Sequence, residues 1–308
     1  MNLEQWLPIV TSTVAAATPL IIAALGVLVC ERAGVLNLGV EGMMLIGAVT
    51  AFAVGVSSGS LLLGYVAAAF AGMALSLLFG LLTLTLQTNQ VATGLALALF
   101  GVGLSAFVGQ GFVGLPIDRV PDLSIPFLSG IPMLGPLLFR YDAVVYLSLV
   151  LYLAVSWFLY RSSAGLRLRA VGESPGVAHS IGERVILIRY LAVLFGGATS
   201  GVAGAYLSTA LTPMWVEGMS AGRGWIVLAL VVFATWRPLR VLLGAYLFGG
   251  VTVLQLHAQG LGVNVPSEFL SMLPYAATIV VLVVICRDPR TILLNQPASL
   301  GRSFHPDH

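Results

Sequence analysis

The chain contains 76 consecutive residues, 42–117, without a single Asp, Glu, Lys or Arg. Soluble globular domains carry about 25% charged residues, so about 19 would be expected in a stretch of this length. A helix needs about 20 apolar residues to cross a bilayer, which gives this stretch room for three crossings. The whole chain is 58% hydrophobic and only 8% charged. We therefore expect an integral membrane protein.

Apolar runs elsewhere in the chain define the fold class. The further charge-free runs are 5–30, 143–160, 190–216, 241–267 and 269–286. They are apolar throughout and far longer than the roughly 9–11 residues of a barrel strand, so we expect an all-α, polytopic protein. We predict about nine transmembrane helices, with eight or ten still open. The predicted spans are 8–29, 36–56, 61–86, 91–112, 142–160, 189–210, 220–236, 239–258 and 269–286.

Arginine distribution predicts the orientation. The loop 161–189 has five arginines against two glutamates, which places it in the cytoplasm by the positive-inside rule. Counting from this loop puts the N-terminus outside and the C-terminus inside. Segment 114–141, with five prolines, is predicted to be a turn-rich extracytoplasmic loop and not a span. We expect one transmembrane domain over residues 1–287 and a disordered cytoplasmic tail over 288–308.

Two Gly-rich polar stretches interrupt the apolar pattern. "AGVLNLGVEGMM" follows Arg32, and "MWVEGMSAGRGW" precedes a charge-free run, 224–236, of only 13 residues. Transporters contain discontinuous helices of this kind, because irregular backbone is tolerated where it lines a cavity walled by protein. The tetrapeptide Val-Glu-Gly-Met occurs in both stretches, at 40–43 and 216–219. An internal repeat and a chance match both remain open.

Polar side chains in these two stretches are the candidates for a substrate pathway. An ionisable residue inside a span costs about 2.5–3.5 kcal/mol and usually faces a cavity or a partner. Asn37 and Glu41 are four residues apart, so on a helix they share a face. They either contact substrate or form an interhelical hydrogen bond that fixes packing. Glu217 and Arg223 either line the outer mouth as a pair or form an interfacial salt bridge.

Glu31 and Arg32 have a simpler interpretation. They lie at the predicted cytoplasmic end of the first span, where charges reach the headgroups or pair with each other at low cost. We therefore expect a structural role for both.

The chain lacks the residues that several kinds of chemistry require. The chain has no lysine, so it cannot form a Lys-containing phosphate-binding loop. Its four histidines show no metal-ligand spacing, and no nucleophile motif is present. We expect no catalysis, metal or cofactor in this chain. A rival hypothesis is an ion-coupled secondary transporter in which Glu41 and Glu217 are the coupling carboxylates.

The loop "RSSAGLRLRAVGESPGVAHSIGERVILIR", residues 161–189, contains a pattern for a short helix. Pro175 can begin it and Gly182 can end it, with Val177, Ala178 and Ile181 on one face. Its Gly, Pro and small apolar residues favour docking against a partner. The alternative is a basic loop whose arginines only fix the topology.

Three segments together resemble a known family. They are "ERAGVLNLGVEGMMLIGA", "AGLRLRAVGESPGVAHSIG" and "GRGWIVLALVVFATWRPLRVLLGAYLFGG". They are similar to permease subunits of bacterial ABC importers, in the branch of ribose-type sugar and nucleoside permeases, over about residues 17–287. The Glu-Arg-x-Gly opening and the N-x-G-x-E-G-M motif resemble the nucleoside branch more closely.

This resemblance implies one half of a transmembrane dimer, often a heterodimer, in the bacterial inner membrane. A cytoplasmic ATPase binds ATP and Mg²⁺, and an extracytoplasmic binding protein, often a lipoprotein, delivers the substrate. The expected cargo is a nucleoside, with simple sugars as the alternative. By motif match, the helix that couples to the ATPase includes Arg169, Ala170, Val171, Gly172, Glu173, Pro175, Ala178 and Gly182. Ser174 and the pair Glu183-Arg184 depart from the residues usual in the family, which affects the details of docking.

Overall fold

The structure is a computed structural model that describes residues 3–124, 139–260 and 295–305, with isolated positions between 266 and 283. Within these residues, seven helices are long and apolar enough to cross a membrane, and they match seven of the nine predicted spans. The all-α prediction is confirmed. The predicted span 269–286 lies largely outside the described residues, and the predicted span 220–236 contains a helix too short to cross.

The structure contains ten α-helices within the described residues. In chain order they are α1 (Leu3–Arg32), α2 (Val40–Ser58), α3 (Leu61–Gly80), α4 (Gln90–Gly109), α5 (Ala143–Arg161), α6 (Ser163–Glu173), α7 (Pro175–Ser180), α8 (Val185–Tyr206), α9 (Arg223–Phe233) and α10 (Pro238–Gly260). A π-helical turn extends α3 over Leu81–Thr85 and α8 over Leu207–Leu211, and a 3₁₀ turn extends α4 over Gln110–Phe112.

Helices α1 and α2 form the interior of the bundle. α1 packs against α5, α8, α9 and α10, and α2 packs against α3, α4 and α8. Both are apolar around most of their circumference, as expected for helices enclosed by other helices. In contrast, α3, α4 and α5 expose large apolar side chains, including Phe70, Phe107 and Trp157. These outer faces suit lipid or a partner subunit.

Small residues allow α2, α3 and α8 to approach closely. A Cβ added at Gly201 would overlap the carbonyl oxygen of Ala68, and one added at Gly47 would overlap the backbone of Gly201. One turn away, a Cβ at Gly72 would overlap the carbonyl oxygen of Gly197. Backbones that approach this closely gain dispersion contacts that larger side chains would prevent.

The predicted extracytoplasmic loop is not a span in its described parts. Strand β1 (Asp122–Ser124) pairs antiparallel with β2 (Arg140–Asp142), so the two ends of the loop meet. Asp142 then caps α5, because its Oδ1 accepts hydrogen bonds at 3.0 Å from the backbone nitrogens of Val144 and Val145. Residues 125–138 lie outside the described part of the chain.

The C-terminal tail differs from the expectation of disorder. Residues 295–305, here named the C-terminal clasp, pack against the predicted cytoplasmic end of the bundle. The backbone nitrogen of Ser299 donates to the carbonyl of Gly172 at 3.0 Å, and that of Gly301 donates to the carbonyl of Gly34 at 3.2 Å. The clasp is ordered because α6 and the α1–α2 turn satisfy its backbone. Positions 288–294 and 306–308 lie outside the described residues.

Candidate functional site

The predicted span 220–236 is a discontinuous segment, as the Gly-rich pattern predicted. Helix α9 has 11 residues. It is therefore about 16 Å long, half of the roughly 30 Å hydrocarbon core. Residues 212–222 before it are non-helical, and Gly218, Ala221 and Gly222 have positive φ. The predicted span 220–236 thus contains no single helix long enough to cross a bilayer, because left-handed backbone at these residues cannot continue an α-helix.

The break between α1 and α2 is the second discontinuity. Residues 33–39 are non-helical and α2 begins at Val40. Asn37 thus precedes the helix, and the shared helical face expected for Asn37 and Glu41 does not exist. The Oδ1 of Asn37 accepts a hydrogen bond from the backbone nitrogen of Gly39 at 2.8 Å, and its Nδ2 lies 3.6 Å from the Sδ of Met43. Asn37 therefore holds the turn that leads into α2.

Glu41 joins the two discontinuities. Its side chain is only 7% exposed, in the first turn of α2. Oε1 accepts hydrogen bonds from the hydroxyl of Ser220 at 2.5 Å and the backbone nitrogen of Gly222 at 3.0 Å, and Oε2 accepts one from the backbone nitrogen of Gly224 at 2.6 Å. These donors lie at the positive N-terminal end of α9, where a carboxylate is stabilised.

Gly224 permits this contact. A Cβ at that position would come within 2.6 Å of the Cα of Glu41. The separation is shorter than real Cβ contacts allow, so a larger residue would push α9 away from α2.

Glu217 and Arg223 have different surroundings in the structure. Glu217 is exposed, whereas Arg223 is half-buried and its Nη1 donates to the carbonyls of Met219 and Ser220, both at 3.2 Å. Arg223 thus contacts the same non-helical segment that Glu41 contacts. Among the described residues, these two side chains do not form the ion pair that the sequence left open.

The other end of α9 is held by Glu31 and Arg32. The indole nitrogen of Trp236 donates to Oε2 of Glu31 at 2.6 Å, and Nε and Nη2 of Arg32 donate to the carbonyl of Trp236 at 3.1 and 2.7 Å. Both charged residues are buried, and among the described residues they bind Trp236 and form no ion pair with each other. Thr235 and Trp236 have positive φ, and these contacts fix the turn between α9 and α10.

The short helix predicted in the loop 161–189 is present. Pro175 is its first residue, and Gly182, with φ of 92°, follows its end. The prediction that Val177, Ala178 and Ile181 share one face was wrong. Ala178 is 2% exposed and packs against Val171 and Val185, whereas Val177 and Ile181 are 62% and 71% exposed. Two apolar side chains one turn apart are thus presented outward on a helix whose opposite face is packed.

The residues matched to the coupling motif have different surroundings. Val171, Gly172 and Ala178 are buried, Glu173 and Gly182 are exposed, and Arg169, Ala170 and Pro175 are intermediate. A Cβ at Gly172 would overlap the carbonyl oxygen of Arg32, so α6 lies directly against the end of α1. The buried members of the set therefore pack the loop onto the bundle.

Sequence reasoning missed the clasp as part of this region. The hydroxyl of Ser299 donates to the carbonyl of Gly172 at 2.6 Å and accepts from Nη2 of Arg189 at 3.1 Å. Arg189 also donates to the carbonyl of Ala33 at 3.2 Å, and the ring of Phe304 meets His179 edge-on at 5.7 Å. The turn signal "QPASLG" in the tail was the available indication of local order.

Comparisons with known proteins agree with this architecture. Residues 9–282 match the family described as the permease component of branched-chain amino acid transport systems. The chain is 43% identical to a putative glucose ABC transporter permease of Haloferax volcanii, over 96% of this chain and 97% of that protein.

Two further relatives are named as nucleoside transporters. Identity is 33% to a guanosine ABC transporter permease of Bacillus subtilis, over 92% of this chain and 93% of that protein. It is 31% to a nucleoside ABC transporter permease of Lactococcus lactis, over 92% and 93%. No solved structure gives a significant match. This chain therefore belongs to the family of branched-chain amino acid transport system permease components, as a multi-span membrane permease of the ABC transporter type.

Proposed function

We propose that the chain is the permease subunit of an ATP-driven importer that moves nucleosides across the cell membrane, with its C-terminus in the cytoplasm. It carries out no bond chemistry; ATP and Mg²⁺ bind a separate ATPase subunit. The observation that carries the proposal is the exposed apolar pair formed by Val177 on α7 and Ile181 directly after its last residue.

Helix α7 has the properties of a docking element. Val177 and Ile181 are one turn apart and exposed, while Ala178 between them packs against Val171 and Val185. A small helix with one packed face and one exposed apolar face fits a hydrophobic groove on a partner. We assign that groove to the ATPase.

Contacts run continuously from this helix into the membrane domain. Gly172 of α6 lies against the carbonyl of Arg32, and the guanidinium of Arg32 holds the carbonyl of Trp236. Trp236 ends the turn after α9, and the N-terminus of α9 is held by Glu41. Movement of α7 therefore acts on a packed series of backbone contacts that ends at the interrupted helix inside the membrane.

The candidate pathway residues divide into two groups. The polar atoms of Asn37 and the carboxylate of Glu41 are occupied by protein donors and acceptors, and we assign them to positioning the discontinuous segments. Glu217 and Arg223 stay candidates for the outer part of the substrate pathway. Glu217 is exposed within the non-helical segment 212–222, and Arg223 donates a hydrogen bond to a carbonyl of that segment.

The substrate proposal rests on relatives and motif. Two of the relatives above are named for guanosine or nucleosides, and the N-x-G-x-E-G-M segment is present at 37–43. Simple sugars are the second candidate because the relative at 43% identity is named for glucose. The remaining partners in this proposal are a second permease, forming a heterodimer, and an extracytoplasmic substrate-binding protein.

Reconstitution tests both parts of the proposal. Proteoliposomes containing both permeases and the ATPase, supplied with binding protein, should accumulate guanosine in preference to glucose, and only with ATP. Uptake should persist when the proton gradient is collapsed. Accumulation driven by an ion gradient without the ATPase would overturn it. Glucose uptake without guanosine uptake would overturn the nucleoside assignment alone.

Variants of α7 test the docking surface. Val177→Asp with Ile181→Asp should weaken ATPase binding at least about tenfold, because each apolar side chain contributes about 1.5–3 kcal/mol when buried. Ser163→Asp is the control, since it adds a charge at an exposed position of the same loop. Equal ATPase binding by both variants would contradict this role of α7.

A further inference from the structure

A basic cavity lies at the predicted cytoplasmic end of the bundle. It has a volume of about 780 Å³ and lies between α5, α6, the end of α1 and the start of α10. Among the residues that the structure describes, three arginines line it, Arg32, Arg169 and Arg237, against one carboxylate, Glu173. A positively charged cavity between helices at the cytoplasmic side of a membrane protein is suited to an anion.

The three arginines differ in how many of their N–H donors already form hydrogen bonds within the protein. Arg32 is committed, because its guanidinium donates to the carbonyls of Trp236 and Asn295. Arg169 stacks over the ring of Tyr160 at 5.4 Å, and its buried Nε has no hydrogen-bond partner within the described part of the chain. An unsatisfied buried donor on a charged group is costly, so a ligand acceptor would be stabilising here.

Arg237 stands at the exposed rim of the cavity. Its Nε donates to Oδ1 of Asn295 at 3.3 Å. The planar guanidinium group presents five donors, and one is used in this contact. Glu173 lines the cavity from α6, and its Oε2 accepts a hydrogen bond from the backbone nitrogen of Ala298 at 3.4 Å. Within the described part of the chain, two guanidinium groups with unused donors therefore outweigh one carboxylate that already accepts a hydrogen bond.

Ser156 adds a second unsatisfied donor to the wall. Helical hydroxyls elsewhere in this protein donate back to a carbonyl three or four residues earlier, as Thr18 does to Val14 and Ser148 does to Val145. Ser156 lines the cavity, and its buried hydroxyl has no hydrogen-bond partner within the described residues.

Part of the cavity wall is formed by aromatic and aliphatic side chains. Tyr152 and Tyr160 line it eight residues apart on α5, which corresponds to about 12 Å along the helix. Leu166 and Leu239 line it as well, and both are exposed. A cavity that combines arginines with aromatic and aliphatic side chains along a membrane helix matches an amphiphile with an anionic head better than a small soluble anion.

We propose that the basic cavity binds the phosphate group of an anionic phospholipid from the cytoplasmic leaflet. Arg169 and Arg237 contact the phosphate oxygens, the hydroxyl of Ser156 donates to the headgroup, and the first part of an acyl chain follows α5. Guanidinium groups favour phosphate because their paired donors match its oxygens. The proposal uses the orientation given above and is independent of the transported substrate.

Purified full-length permease in neutral detergent tests the proposal. Added phosphatidylglycerol should raise the melting temperature by at least about 3 °C more than phosphatidylcholine does, because ligand that binds only the folded state stabilises it. Arg169→Gln and Arg237→Gln should each lose at least half of this difference. Arg237 is exposed, so its variant remains informative if Arg169→Gln folds poorly.

Arg167→Gln is the matched control. Arg167 lies two residues from Arg169, its side chain is 61% exposed and its Nε pairs with Glu183 at 3.2 Å outside the cavity. The variant removes the same charge and should keep the full lipid effect. Equal loss in all three variants would show a general charge effect and overturn the proposal, as would no loss in any.

Two further arms identify the source of the phosphate. Inorganic phosphate at constant ionic strength should leave the melting temperature unchanged; a shift equal to that of the lipid would overturn the phospholipid assignment. Mass spectrometry of lipid retained after purification should show phosphatidylglycerol with wild type and Arg167→Gln, and less with Arg237→Gln. If Arg237→Gln retains the lipid but loses binding of the ATPase, the cavity is a protein docking site and the proposal is wrong.

Discussion

The Oε2 of Glu41 lies 2.6 Å from the backbone nitrogen of Gly224, and this hydrogen bond connects two non-helical breaks that are about 180 residues apart in sequence. A buried carboxylate is costly unless donors surround it. Here a hydroxyl, two backbone N–H groups and the positive end of α9 supply that environment. Glu41 thus stabilises the beginning of a helix that is too short to cross a bilayer.

Replacing Glu41 by Gln should destabilise the protein by about 1.5–3 kcal/mol, because the charge-assisted hydrogen bonds are lost and one amide group would face donors. Unfolding in detergent, followed by circular dichroism, measures the change. The pH dependence of ATP-driven uptake should be unchanged in this variant. Loss of that pH dependence would instead support the ion-coupled hypothesis.

Glu217 provides the control for Glu41, because each lies in one of the two copies of the tetrapeptide Val-Glu-Gly-Met, at 216–219 and 40–43. Glu217 is exposed, so Glu217→Gln should change the free energy of unfolding by less than about 0.5 kcal/mol. Equal effects of the two substitutions would show that the hydrogen bonds of Glu41 contribute little to the fold.

Trp236→Phe should also destabilise the protein, by about 1.5–3 kcal/mol. The indole nitrogen donates a hydrogen bond to Oε2 of Glu31. Oε1 of Glu31 is buried and has no hydrogen-bond partner among the described residues. The substitution therefore removes the hydrogen bond that stabilises this buried carboxyl group. Chemical denaturation of Trp236→Phe, Glu31→Gln and the double variant measures the coupling energy.

Trp157→Phe is the matched control, since Trp157 is exposed on α5. Its effect should stay below about 0.5 kcal/mol. A coupling energy near zero between positions 31 and 236 would contradict the contribution of this hydrogen bond.

The spans were predictable because their signal is strong and local. Long apolar runs can form only helices in lipid, since every backbone group must be paired within the segment. The break at 212–222 was also predictable, because Glu217, Gly218, Gly222 and Arg223 are poorly placed in a continuous span. The length of α9 was not predictable. The length of α9 depends on where Glu41 and Trp236 hold its ends, and both contacts are formed between distant parts of the chain.

The errors in the loop and the tail have the same origin. Spacing places Val177, Ala178 and Ile181 on neighbouring parts of a helix, but the packing of Val171 and Val185 decides which part is buried. The tail was expected to be disordered because it is short and polar. Its order comes from acceptors on Gly172 and Gly34, which the folded bundle brings within reach of Ser299 and Gly301.

Gly201→Ala should destabilise the bundle by about 1–3 kcal/mol through overpacking. The added methyl group would overlap the carbonyl oxygen of Ala68, and backbone cannot move aside as a flexible side chain can. Gly103→Ala is the control, because nothing lies within 4 Å of a Cβ at that position of α4. This control should be neutral or slightly stabilising, since Ala favours the helix by about 1 kcal/mol over Gly. Melting temperatures in detergent distinguish the two, and equal values would contradict the close approach of α3 and α8.

Ser299→Ala should release the C-terminal clasp from the loop that carries α7. The hydroxyl of Ser299 donates to the carbonyl of Gly172 and accepts from Arg189, and the methyl group that replaces it can do neither. Loss of about 1–2 kcal/mol of local stability corresponds to roughly 5–30-fold faster amide exchange at Ser299 and Gly301. Hydrogen exchange with mass spectrometry of the full-length permease measures this rate.

Ser303→Ala, at an exposed position of the same segment, should leave exchange unchanged. If the two variants exchange alike, the hydroxyl of Ser299 does not hold the clasp. If Ser299→Ala speeds exchange and also lowers ATP-driven uptake with ATPase binding intact, the clasp keeps α6 and α7 attached to α1 while the ATPase moves them.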